Sequence, residues 1–138
     1  ENEGYRVLKY SPIGVIWAGS KADNDYILER YSNVLLMKAE ALFRLNQNLD
    51  VALELVNEVR RRSNCAEWTE LTLQRIEDER AREFIWENQR RRDMIRFGSY
   101  FNNTWFYKTE KTEQWRGIYP IPAIQLTNNP NLEQNPNY

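Results

Sequence analysis

The sequence predicts an all-α domain: a hairpin of two amphipathic helices, a long third helix, and an irregular arm at each end. Two observations predict this class. Apolar residues recur at helical spacing over three separate stretches, whereas both ends are rich in Gly, Asn, Pro and aromatic residues without sustained periodicity. With 138 residues, 41% of them apolar, the chain suits one domain with an ordinary core, over residues 1–138.

The first helix is predicted to begin at Tyr31. Leu35, Ala39 and Leu42 fall at i, i+4 and i+7, which places an apolar stripe on one helix face. The segment Asn-Gln-Asn at 46–48 is typical of a turn and ends this helix.

A second helix follows, with Asn48 predicted as its N-cap. It ends near residues 60–64, where basic side chains suit the negative end of the helix dipole. Since the connection is short, the two helices should form an antiparallel hairpin. The apolar line of the second helix consists of Ala52, Leu55, Val56 and Val59.

This hairpin resembles one tetratricopeptide repeat unit. Leu42 and Phe43 occupy the places of the large apolar pair of the repeat, although the turn is one residue longer and Asn46 replaces the usual glycine. A single unit leaves its outer face uncovered, so we expect it to need neighbours. Small residues lie on the predicted contact line at Ala39, Ala41 and Ala52.

The third helix is predicted to begin after Thr72 as N-cap, with Ile76 on its apolar face. It ends at Phe97, followed by Gly98 as a left-handed C′ residue. Because this span is long, a kink or break is expected near Glu-Asn-Gln at 87–89.

Residues 78–98 carry the apolar line of the third helix into charged side chains, namely Arg80, Glu83 and Glu87. One interpretation is an exposed face with salt bridges, for which the pairs Asp78–Arg82 and Glu87–Arg91 have the attractive i, i+4 spacing. A second is a partly buried seam that orients the helix on the hairpin through arginine–carboxylate pairs. Its expected participants are Arg60, Arg61 and Arg62, with Phe84, Trp86 and Met94 packed beside them.

A third interpretation is a glycosidase, with two glutamates as acid and base. The geometry disfavours it, because carboxylates at i and i+4 lie on the same side of one helix, about 6 Å apart at Cβ. The chain has no histidine, and Cys65 is its lone cysteine, expected as a small buried or half-buried residue. We therefore predict no enzyme, no metal site and no cofactor.

The charge balance, 19 basic against 20 acidic residues, gives no reason to expect a nucleic-acid partner. The chain begins Glu-Asn-Glu-Gly with no initiator methionine or visible targeting segment, and we expect it to be part of something longer. Its apolar run Val-Leu-Leu-Met is far shorter than the roughly 20 residues of a membrane span.

Four segments carry a resemblance to a known family. In order and spacing they resemble the C-terminal half of SusD/RagB-like proteins, over about residues 5–138. Asn88 stands where that family usually has glycine, and Arg91 where it has tryptophan. The segments are YILERYSNVLLMKAEAL, ALELVNEVRRRSN, LTLQRIEDERAREFIWENQRRRDMIRFG and YPIPAIQLTNNPNLEQNPNY.

The resemblance implies an all-helical, non-enzymatic protein that binds glycans, or in some cases peptides, beside a TonB-dependent transporter. It also implies a lipoprotein on the outer face of the outer membrane, whose lipidated cysteine and signal peptide would lie outside this chain. The remaining alternative is a tetratricopeptide-like module that binds a peptide in a groove. No ligand-binding residue of the family matches a position in this sequence.

Aromatic residues are the candidates for sugar contact, because their flat faces suit the apolar side of a sugar ring. Core packing is nevertheless the first expectation for each of them. Trp105 and Trp17 are the preferred candidates, and the cluster YFNNTWFY at 100–107 is the most suggestive segment. The full set is Tyr10, Trp17, Trp68, Tyr100, Phe101, Trp105, Phe106, Tyr107 and Trp115.

Overall fold

The computed structural model of this chain describes residues 9–10, 14–19 and 21–138. Within these ranges the all-α prediction is confirmed, because the secondary structure is six helices, one 3₁₀ turn and a two-stranded hairpin. The elements are β1 (Trp17–Ala18), β2 (Lys21–Ala22), α1 (Tyr31–Arg44), α2 (Leu49–Arg62), α3 (Leu73–Glu83), α4 (Arg90–Phe97), α5 (Ser99–Asn102), the 3₁₀ turn (Gln114–Gly117) and α6 (Ala123–Asn128).

The helices α1 and α2 pack against each other and form the apolar core. Both predicted apolar lines face this interface, and Ala39 and Ala52 are fully buried, which lets the helices approach closely. Ala41, predicted on the same line, is exposed instead. It lies two positions from Ala39, about 200° around the helix. The core consists of Leu35, Leu36, Ala39, Ala52, Val56, Val59 and Phe84.

The turn between α1 and α2 contains two asparagines in the left-handed region, Asn46 with φ 53° and Asn48 with φ 45°. Asparagine tolerates this conformation better than other non-glycine residues. Asn48 is the N-cap residue as predicted, but its side chain makes no capping hydrogen bond. The left-handed backbone, rather than a side-chain cap, therefore explains why asparagine suits this turn.

The third predicted helix is two helices, α3 and α4, with the break at the expected place. Thr72 caps α3 as predicted, since its hydroxyl accepts a hydrogen bond from the Arg75 amide at 3.1 Å. Gly98 follows α4 with φ 85°, the left-handed C′ conformation that the sequence predicted. Between the helices, residues 84–89 form a tight turn.

The arms are less irregular than predicted, since they contain the β1–β2 hairpin, α5, the 3₁₀ turn and α6. Part of the N-terminal arm, residues 1–8, 11–13 and 20, lies outside the described residues. In the C-terminal arm, the side-chain amide of Gln134 bonds the backbone of Ile121 twice. It accepts from the backbone N–H of Ile121 at 2.8 Å and donates to the backbone carbonyl of Ile121 at 3.0 Å. The tail is thereby joined to the Pro-Ile-Pro segment.

Cys65 is exposed in the loop after α2, so the expectation of a small buried residue is wrong. α2 ends at Arg62, and Asn64 in the left-handed region (φ 53°) turns the chain before the cysteine. In the described part of the chain, no helix combines the length and apolarity that crossing a bilayer requires.

Truncating the core should cost far more than truncating the outer face of the same helix. For Leu36→Ala at a fully buried position, we expect the free energy of unfolding to fall by about 2–5 kcal/mol through lost burial and a new cavity. Val34→Ala, at a position 52% exposed on α1, is the matched control and should barely change it. Urea titrations of both variants measure the difference, and equal losses would contradict the observed packing.

Candidate functional site

The charged stretch forms a partly buried network between helices, which we call the polar seam. Its carboxylates are nearly inaccessible, with Glu79 3%, Glu83 7% and Glu87 5% exposed. This arrangement agrees with the second interpretation of the sequence and not with an exposed face. The polar seam consists of Arg30, Asn33, Arg60, Arg62, Glu79, Arg80, Glu83, Glu87 and Asp93.

Glu83 at the end of α3 is held by one arginine of α2 and by one that immediately precedes α1. Arg62 at the end of α2 donates to both carboxylate oxygens at 2.7 Å. Arg30, immediately before α1, donates to Glu83 and also pairs with Glu87 at 3.0 Å. Arg60 adds a second contact between α2 and α3 through Glu79 at 2.6 Å. These contacts fix α3 in its position across the hairpin.

Arg80 and Asp93 form the most deeply buried ion pair among the described residues, each 1% exposed. The Arg80 Nε donates to Asp93 Oδ2 at 2.8 Å, and its Nη1 donates to Asn33 Oδ1 at 2.9 Å. Its guanidinium also lies 5.0 Å from the centre of the Phe84 ring. One arginine therefore connects α1, α3 and α4.

Pairing outweighs burial in setting the pKa values at one end of the polar seam. Burial alone would raise the pKa of Glu87, but hydrogen bonds from Arg30 and Lys9 lower it below the ordinary value of 4.5. Burial would likewise lower the pKa of Arg30, yet its bonds to Glu87 and Glu83 raise it. Both groups are therefore charged at neutral pH.

Both predicted i, i+4 ion pairs are wrong. Asp78 accepts a hydrogen bond from Gln74 and is not paired with Arg82, whose partner is Glu79. Glu87 does not pair with Arg91, because the helix break moves the two residues off one face.

Neighbours of the polar seam also depart from the prediction. Trp86 does not pack into it and is 66% exposed, whereas Phe84 and Met94 are buried as expected. Arg61 points away and pairs with Glu54 and Glu67 at the surface.

Trp68 has a structural position, as first expected for every aromatic candidate. Its backbone is held by buried Asn57, which donates to the Trp68 carbonyl and accepts from its amide, both at 2.9 Å. The Arg60 guanidinium lies 4.1 Å from the ring centre. With its ring packed against the core and a cation on it, Trp68 offers no free face to a ligand.

The expectation of core packing is wrong for residues 105–108, which we call the aromatic turn. Trp105 and Lys108 exchange backbone hydrogen bonds at 2.8 and 2.9 Å, which closes a tight turn. The turn exposes 85% of Phe106 and 91% of Tyr107, and their rings meet edge to face at 4.7 Å. Trp105 is 48% exposed beside them. This is a concentrated display of aromatic surface.

A shallow polar cavity of about 480 Å³ adjoins the aromatic turn through Lys108. Hydroxyls, carboxylates and ammonium groups in its wall can hydrogen-bond sugar hydroxyls, while the adjacent rings offer stacking faces. Its lining residues are Tyr100, Lys108, Thr109, Glu110, Lys111, Thr112, Glu113 and Arg116. The aromatic turn and this cavity together form the candidate functional site.

The other aromatic candidates are dispersed. Trp17 lies in the β1–β2 hairpin and is 59% exposed, which again contradicts core packing. Tyr10 stacks on Tyr26 with ring centres 5.8 Å apart. Trp115 is half-buried against Tyr138 at 4.8 Å and closes the C-terminal tail.

Sequence reasoning missed one further group, Trp86 and Tyr119, which line a common cavity near the break between α3 and α4. One signal in the sequence could have indicated the turn that exposes Trp86. Asn88 occupies the place of a family glycine, and a glycine at a turn indicates positive φ. The described residues contain no group of three or more potential ligands that could hold a metal ion.

The features above define a helical scaffold with salt-bridged interfaces and aromatic surface on its turns. The family model described as the SusD family matches residues 1–138, so the chain belongs to the SusD family. It is 36% identical over 124 residues to the starch-binding protein SusD of Bacteroides thetaiotaomicron, covering 84% of this chain and 22% of that protein. It is 31% identical to the SusD-like protein P38 of Formosa agariphila, covering 100% of this chain and 29% of that protein.

Solved structures agree with this family. The surface glycan-binding protein A of Bacteroides uniformis has a TM-score of 0.72 and 26% identity, covering 83% of this chain and 28% of that one. A SusD-like protein of Bacteroides fragilis has a TM-score of 0.66 and 23% identity over 82% of this chain and 26% of that one, a likeness of fold alone. The chain thus spans about a quarter of the length of these relatives.

Removing the charge of Glu83 should destabilise the fold. Glu83→Gln keeps the side-chain shape but leaves Arg30 and Arg62 without their shared anion, so we expect a loss of about 1–3 kcal/mol in the free energy of unfolding. Glu54→Gln, which breaks the exposed pair with Arg61, is the control and should leave the melting temperature unchanged. An unaltered melt for Glu83→Gln would indicate an exposed, unconstrained carboxylate.

The lowered pKa of Glu87 predicts a loss of stability in acid. A carboxyl whose pKa is lower in the folded state stabilises the fold above its ordinary pKa of 4.5, and this contribution disappears as the pH falls through the lowered folded-state pKa. Melting temperatures of the wild type and Glu87→Gln should therefore differ most at neutral pH and converge below pH 4.5. A gap that stays constant with pH would contradict the ion pair with Arg30.

Proposed function

We propose that this protein binds a glycan without chemically altering it, as an accessory component of a TonB-dependent uptake system in the outer membrane. The observation that carries the proposal is the aromatic turn, whose rings are exposed on a scaffold of the SusD family. Two relatives named for starch binding and surface glycan binding support a carbohydrate as the ligand.

The state of the carboxylates supports binding rather than hydrolysis. A glycosidase needs an acid and a base that reach the substrate from two sides. Glu79, Glu83 and Glu87 are each buried and engaged by arginines, so they are inaccessible to a sugar. The charged stretch therefore serves the scaffold, and ligand contact falls to the turns.

We also propose that residues 1–138 form one C-terminal domain of a longer surface lipoprotein, held to the membrane by a lipid anchor outside this chain. This chain covers only 22% and 29% of the two curated relatives, which supports a longer protein. The partners in this proposal are a TonB-dependent transporter and a glycan.

A second candidate function is a peptide-binding module, favoured by an apolar stripe on the outer face of α1. Val34 and Met37 are 52% and 46% exposed, and Leu45 just after the helix is 64% exposed. Such a stripe suits an amphipathic peptide helix. A single hairpin offers no concave groove, however, which makes it the weaker candidate.

The glycan proposal predicts that the protein is retarded in native gels that contain its polysaccharide, with starch as the first probe. Trp105→Ala and Trp17→Ala should each weaken binding about tenfold if their rings stack on sugar. Tyr31→Ala, with a ring 68% exposed on α1, is the matched aromatic control and should bind normally. Unchanged affinity in both tryptophan variants would exclude those residues, and no retardation by any polysaccharide tested would contradict the function.

A further inference from the structure

The turn between α3 and α4 holds a tryptophan in an unfavourable conformation. Trp86 has φ 65° and Asn88 has φ 56°, both in the left-handed region. Asparagine tolerates that region, but for a bulky residue it is an outlier that usually persists only where something requires it. Trp86 is 66% exposed, so little burial of its ring offsets the strain. Its place on the surface therefore needs another explanation.

The ring of Trp86 lines a cavity of about 340 Å³, which we call the Trp86 cavity. This cavity combines a large flat aromatic face, a second aromatic ring at Tyr119 and a planar amide at Asn88. An aromatic face with nearby polar groups is the combination that holds a sugar ring by its apolar side and its hydroxyls. The lining residues are Phe84, Trp86, Asn88, Arg90, Arg91 and Tyr119.

The charge of the Trp86 cavity distinguishes it from the site at the aromatic turn. Its lining contains two arginines and no carboxylate. Arg90 is compensated by Glu77 at 3.1 Å, outside the lining. Arg91 lies 4.0 Å from the centre of the Tyr119 ring and donates to the Arg116 carbonyl, and it pairs with no carboxylate of the described residues. An anionic group is therefore the complementary occupant.

We propose that the Trp86 cavity is a subsite for an anionic saccharide, with Trp86 stacking on the sugar ring and Arg91 attracting its carboxylate or sulfate group. This inference rests on the proposed glycan-binding function and specifies the class of sugar. Trp86 is held in its strained turn because the ring serves a ligand, and the fold gains little from it.

The test compares anionic polysaccharides with neutral counterparts on the full chain. Polygalacturonate is paired with its methyl ester, and κ-carrageenan with agarose, so that the charged group is the main difference within each pair. We expect retardation by at least one anionic member, a much weaker effect of its neutral counterpart, and a decrease with added salt. Which pair responds distinguishes a carboxylate from a sulfate.

Trp86→Gly removes the ring and relieves the positive φ at once. It should weaken binding of the anionic probe about tenfold or more while the melting temperature stays equal or rises. Ile85→Ala is the matched control, since it truncates the neighbouring residue of the same turn, which is 44% exposed and outside the cavity lining. It should bind as the wild type does.

Four outcomes would overturn the inference. Normal anionic binding by Trp86→Gly would exclude this ring, and a lower melting temperature would show that the fold itself needs the tryptophan. Wild-type binding to starch but to neither anionic probe would reject the subsite while leaving the proposed function intact. Binding to no glycan at all would reject both.

Discussion

The ion pair of Arg80 and Asp93 is the constraint on which the architecture depends. Both residues are only 1% exposed, and burying either charge alone would cost several kcal/mol, so the two must meet where the helices pack. They belong to different helices, and Asn33 of α1 completes the coordination of the guanidinium. The relative positions of α1, α3 and α4 are therefore coupled through one side chain. A slip of α3 against α4 would leave the buried guanidinium of Arg80 without its carboxylate.

The same arginine–carboxylate pairing gives the polar seam a structural role. Because its carboxylates are buried and paired with arginines, the polar seam offers no accessible acid or base for chemistry, although its composition resembles a catalytic site. The exposed aromatic rings of Trp86 and Trp105 lie instead on turns outside the polar seam. Trp86 lies on the turn between α3 and α4, and Trp105 lies on the turn that follows α5. Exposed rings on an otherwise well-packed scaffold are typical of binding surfaces.

Local features of the fold were predictable because their causes are local. The spacing of Leu35 and Ala39 identifies a helix whatever it packs against, and Thr72 and Gly98 mark helix ends through a hydroxyl and a left-handed backbone. The break between α3 and α4 was also predictable near residues 87–89. The resemblance of four segments to the SusD family was present in the sequence, and the family assignment confirms it.

Only the tertiary structure decided which charges are buried. Glutamates and arginines at i, i+4 spacing give the same sequence pattern on a solvated helix face and in a buried seam. The two cases differ in their partners, which here are Arg30 and Arg62 from distant parts of the chain. Exposure of Trp86 and Cys65 was likewise unpredictable, because the average preference of these residues for burial says nothing about which side of a turn faces the core. Sequence thus determined the helices and the family. Long-range contacts alone determined which of the charged and aromatic side chains are buried and which stay exposed.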